Sequence, residues 1–149
     1  MNIKIVQVLG PNTDQVAALA ISSSREGVVF AALVHLVCDD AFTRGRQILS
    51  ELADFYFDQE GMSSDRLNLT FAQAEKLLAE PAAQYDLVLT VISKKTLYLI
   101  YQGGVVVILK RGESLSSLLN IGAPKQIISG YLKEGDRVFL ATSDLAAFL

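Results

Sequence analysis

Residues 85–112 read YDLVLTVISKKTLYLIYQGGVVVILKRG, and residues 134–149 read EGDRVFLATSDLAAFL. The first stretch holds three apolar runs of strand length in quick succession. Ser93-Lys94-Lys95 separates the first two runs. Gly103-Gly104 separates the second and third, and a glycine pair supplies the positive φ that a tight turn needs. Arg111-Gly112-Glu113 closes the third. The spacing predicts a meander of antiparallel strands over 85–92, 96–101 and 105–109. Residues 114–120 fit no single element, and 127–132 read as a further edge strand. The turn Lys133-Glu134-Gly135-Asp136 feeds a strand over 137–141. Thr142 or Ser143 then caps a terminal helix, with Asp144 at its positive end.

Upstream, residues 1–9 alternate Ile3 and Ile5 against Lys4, although Val6 and Val8 make the second face partly apolar. Gly10-Pro11-Asn12-Thr13 is turn chemistry, and 15–22 is a second strand, so the pair reads as a hairpin. Residues 22–27 read as a polar turn. Residues 27–38 are almost wholly apolar, which predicts a strand covered on both faces. Asp39-Asp40 would cap a helix over 41–57, where Phe42, Gly45, Ile48, Leu49 and Leu52 recur at helical spacing. A second helix fits 65–80 on the stripe Leu67, Phe71, Ala74 and Leu78. Thr70 with Gln73 offers a later start as a capping box, and Pro81 ends the helix. Strands, two helices, then strands make an α+β domain. Its helices lie on one antiparallel sheet or on the outsides of two stacked sheets.

Composition bounds the function. The 149 residues are one domain, 51% hydrophobic, which excludes disorder. The net charge of −3, with basic residues scattered, leaves no footprint for nucleic acid. The longest apolar run is too short to cross a bilayer and contains His35. One cysteine allows no internal disulfide, which fits the cytoplasm or a cytosolic part of something larger. The apolar end at Leu149, without a cap or a basic last turn, predicts a domain cut from a longer protein. A short native helix that docks its last apolar residues is the alternative.

Two stretches, 96–112 and 135–149, resemble the metal-dependent serine/threonine protein phosphatases of the PPM type. That family has a strand pair around Gly-Asp-Ser, and later Gly-Asp, an apolar strand and Ala-Thr-Asp-Gly-Leu. Here Gly135-Asp136-Arg-Val-Phe-Leu-Ala-Thr-Ser-Asp-Leu145 follows the second pattern in all but its two key letters. Asn12-Thr13-Asp14 is similar to the family's Asn-Glu-Asp. Residues 28–57 look like its buried strand, Asp-Gly loop and glycine-containing helix. The resemblance implies an α-β-β-α sandwich, antiparallel sheets flanked by helices. In active members, carboxylates at the sheet ends hold two magnesium or manganese ions that activate a bridging water.

The chain departs from the family at the residues that bind metal. Asp14 survives. The Asp-Gly after the buried strand falls at about Val37-Cys38, Gly-Asp-Ser becomes Gly103-Gly104-Val105, and the later aspartate becomes Ser143, with Asp144 one place late. Asp39, Asp40 and Asp144 are the weak candidates to replace what is missing. Their ordinary role is helix capping, and for Asp14 it is a turn bonded to its own backbone. His35 and Cys38, three apart, point to opposite faces of a strand and make no catalytic pair. Zinc finds too few ligands, and no phosphate-cradling glycine loop is present. The N-terminal-nucleophile hydrolases share the layer order, but Met1-Asn2 offers no nucleophile without processing.

The sequence therefore predicts a pseudophosphatase: no catalytic residues, no resident cofactor, and a protein partner in signalling or regulation. The alternative is a divergent phosphatase for phosphoserine and phosphothreonine that uses magnesium or manganese on Asp14 with Asp39 or Asp40. A third option is a structural domain that pairs through an exposed sheet edge.

Overall fold

The computed structural model describes residues 3–8, 12–13, 15–80 and 84–142. In chain order the elements are β1 (Lys4–Val8), β2 (Val16–Arg25), β3 (Val28–Val37), α1 (Ala41–Asp58), α2 (Ser63–Ala79), β4 (Gln84–Ser93), β5 (Thr96–Gln102), β6 (Val105–Arg111), β7 (Ser114–Ser117), a 3-10 turn (Leu118–Ile121), β8 (Ile128–Tyr131) and β9 (Arg137–Thr142). The strands form a five-stranded sheet, β2-β3-β4-β5-β8, and a four-stranded sheet, β1-β9-β6-β7. Every pairing is antiparallel except β1 with β9. The domain is mixed α+β, as the order of apolar runs predicts.

Strand β3 explains the layering. Its side chains alternate between two cores, because successive residues point to opposite faces. Phe30, Ala32, Val34 and Leu36 pack with α1 and α2 residues such as Leu49, Leu52 and Leu67. Ala31 and Leu33 pack with Val107, Val138 and Leu140 of the second sheet. Both faces are dry, so the run is continuously apolar. Both helices lie on the five-stranded sheet. The outer face of the four-stranded sheet carries half-buried Val106, Ile108 and Phe139, and no helix covers it among the described residues. The expected terminal helix, with its caps Ser143 and Asp144, lies outside the described residues, as does Pro81.

Several local expectations fail, each because a tertiary contact outweighs sequence proximity. β1 does not form a hairpin with β2. It pairs with β9 in the other sheet, with Val6 opposite Phe139. Ile3 and Ile5 face the inter-sheet core, and Gln7 Nε2 reaches across to donate to the carbonyls of Ile21 (3.1 Å) and Ala32 (3.0 Å). Gly103-Gly104 is no hairpin turn either. β5 pairs with β4 and β8, and the chain crosses there into the second sheet, where β6 pairs with β7 and β9. Residues 22–25 continue β2, and the turn is Glu26-Gly27, with φ of 53° and 80°.

The caps also differ. Asp40 stands before α1 in the left-handed region, φ 54°, with no side-chain cap bond. A cap side chain bonds from extended backbone, which Asp40 does not adopt. Thr70 is fully buried inside α2 and donates to the Arg66 carbonyl at 2.8 Å, so the helix does not start there.

Candidate functional site

The strand registers bring several strand ends to one edge of the sandwich. Val16 lies opposite Val37, Val37 opposite Gln84, Leu87 opposite Gln102, and Val105 opposite Thr142. The Gly103-Gly104 crossing bridges the two sheets there. Alternation along each strand then decides which side chains face between the sheets. Counting back from the inter-sheet core residues, His35 and Val37 follow Leu33, Asp86 precedes Val88, and Thr142 follows Leu140. These residues frame a mouth.

One constellation occupies it. His35 and Asp86 are directly opposed on β3 and β4. The His35 Nδ1 lies 3.4 Å from Asp86 Oδ2, with both side chains about a quarter to a third exposed (26% and 31%). The other carboxylate oxygen, Oδ1, accepts the Gly104 N–H at 2.7 Å. Gly103 sits at φ 84°, and a Cβ there would collide with the Asp86 carboxylate. The glycine is required twice, by its backbone angle and by the close approach of Asp86.

The positions singled out from the sequence divide in two. Val37, opposite Gln84, and Gly104, bonded to Asp86, both lie at this end of the sandwich. Asp14 and Asp144 lie outside the described residues. Asp39 and Asp40 are exposed and stay on the helix side. Asp39 lines an open groove of about 590 Å³ with Arg44, Glu51, Leu77 and Glu80. Asp40 borders a separate one with Asn12, Thr13 and Phe42. Neither shares a groove with Asp86. Cys38 packs toward the helices, away from His35, as the strand alternation predicts.

Paired magnesium or manganese ions need several converging carboxylate oxygens. The described residues do not fit them: no group of three or more Asp, Glu, His or Cys converges among them. Asp86, which the register does aim into the mouth, already bonds a backbone N–H. Chemically, the pair sets an imidazole beside a carboxylate that also fixes a turn. Asp86 was not legible as the neighbour of His35, because only the β3–β4 register opposes them.

A second charged pair sits on the four-stranded sheet. Asp136, 1% exposed, accepts from Arg111 Nη2 (2.7 Å) and Nε (3.1 Å) and from the Lys133 N–H (2.7 Å). The Arg111 guanidinium, and secondarily the Lys133 N–H, hold this carboxyl below the usual range against the opposing effect of burial. The Gly135-Asp136 pair of the phosphatase-like pattern is thus a turn clasp.

No family model, curated protein or solved structure matches the chain. Among the described residues, no helix is long and apolar enough to cross a membrane.

Proposed function

We propose that the chain is a phosphatase-like domain of the PPM type that has no catalysis of its own and acts as a cytoplasmic protein-interaction or regulatory module. One observation carries this reading. Val37 and Gly104 stand where the resemblance would put metal-binding aspartates, and the nearby Asp86 accepts the Gly104 N–H and lies beside His35. Two stacked sheets with helices on the outer face of one are compatible with the family's scaffold. The scaffold would offer a shaped, weakly charged surface in place of a metal centre, with a protein as its partner.

The test is manganese-dependent hydrolysis of an aryl phosphate by the purified chain. No rate above the metal-only control is expected. A rate that disappears in Asp14→Ala would overturn the proposal. It would favour instead the divergent metal-dependent phosphatase, with Asp14 among its ligands.

A further inference from the structure

Edge strands are normally short, bulged, or guarded by lysine or proline, because their unpaired N–H and C=O groups invite another strand. Three edges here follow that rule. β7 and β8 are four residues long and β1 is five. β2 does not. It runs ten residues, VAALAISSSR, pairs with β3 without a bulge, and contains neither proline nor lysine.

Which of its groups face outward follows from three bonds. The Ala18 N–H donates to Asn12 Oδ1 (2.7 Å), and the Val16 carbonyl accepts the Thr13 N–H (2.7 Å), so even-numbered residues face the open edge. Gln15 faces the other way, its carbonyl accepting the Cys38 N–H at 3.0 Å. In an antiparallel strand this alternation persists. Ala20, Ser22 and Ser24 therefore turn both backbone groups outward. Asn12 closes the edge on one side of them, and the Glu26-Gly27 turn closes it on the other.

We propose that this edge pairs with the β2 edge of a second copy of the chain, antiparallel and centred on Ser22. The stretch, which pairs with no other strand among the described residues, is symmetric about that residue. In this register Ser22 faces Ser22, and Ala20 faces Ser24 in both directions, so each outward residue exchanges both bonds with its opposite. Arg25 falls opposite Leu19, and no like charges meet. The small serines let the backbones approach. Phe42, 41% exposed, borders the same flank beside Asn12 and Thr13 and adds apolar area to it. The product is an isologous two-fold dimer with the two five-stranded sheets joined edge to edge.

The test is analytical ultracentrifugation of the 149-residue chain across a dilution series. A reversible monomer–dimer equilibrium is expected. Ser22→Lys places two ammonium groups face to face and raises the dissociation constant at least about tenfold. Ser22→Glu does the same, and an equimolar mixture of the two variants restores the dimer. Ser22 is exposed and its backbone points away from β3, so both variants keep the wild-type circular dichroism. Hydrogen exchange of the wild type gives a second readout free of mutation: the Ser22 and Ser24 amides are protected at high concentration and exposed on dilution. A chain that stays monomeric overturns the proposal, as does a dimer untouched by either variant. An edge occupied by a foreign extended peptide instead of a second copy also overturns it.

Discussion

Asp86 fastens the crossing between the two sheets: its carboxylate, at the start of β4, accepts the Gly104 N–H at 2.7 Å. The bond holds the chain at the point where it leaves β5 for the second sheet. Asp86→Ala leaves that N–H without its acceptor and is expected to cost about 1–3 kcal/mol. Asp86→Asn keeps an acceptor and costs less. Gly103→Ala adds a Cβ at φ 84° that meets the same carboxylate, and is expected to cost at least about 1–2 kcal/mol. Urea denaturation checks the order. Equal stability of all three variants and wild type would refute the tether.

The Arg111–Asp136 clasp sets an acid limb. The Asp136 pKa is lower folded than unfolded, chiefly because of Arg111. Its contribution to stability is therefore fully present above the unfolded value, about pH 4, and is lost as pH falls through the folded value. Asp136→Asn is expected to lower the denaturation midpoint at neutral pH and to flatten the decline of stability below about pH 4. Parallel curves for variant and wild type would show that the carboxylate is not protonated with that transition.

Helix α1 approaches the sheet most closely at Gly45. A Cβ there would collide with Leu19 Cδ1 and lie 3.1 Å from Leu36 Cδ2. Leu36 is fully buried and Leu19 nearly so, which leaves little room to yield. Gly45→Val is expected to destabilise by about 1–3 kcal/mol through overpacking, despite the better helix propensity of valine. Thermal unfolding measures it, and an unchanged midpoint would mean that the helix shifts freely.

Tyr56 is fully buried, its ring stacked on Phe30 at 5.3 Å between centroids, and its hydroxyl makes no hydrogen bond of good geometry. Burial raises its pKa, and Ser63 and Arg66 offset this only partly. Tyr56→Phe keeps the stack and removes an unsatisfied hydroxyl. Stability is expected to hold or to rise by up to about 1 kcal/mol. A clear loss in the same denaturation assay would reveal a hydroxyl partner.

Most elements were legible in the sequence, although β7 and the 3-10 turn after it were not. Apolar runs of strand length mark β4, β5 and β9, and the stripe Leu67, Phe71, Ala74 and Leu78 marks α2. The unbroken apolar run at β3 announces a strand covered on both faces. Each signal is local, because a residue's periodicity is imposed by the face that its own strand or helix buries. Partner choice was not legible. β1 left β2 for β9, and Gly103-Gly104 became a crossing, because several apolar faces compete for the same cover. Only the packed whole decides between them, as with the Gln7 reach to Ile21 and Ala32.

The candidate site divides along the same line. The residues alone determined that no aspartate stands at Val37 or Gly104, since identity needs no fold. Only the tertiary structure decided that Asp86 faces His35, that Asp136 closes a turn with Arg111, and that β2 takes an edge position, paired with β3 alone among the described residues. Those relations depend on strand register, and register is settled by long-range burial across the sheets. No short stretch of chain encodes it.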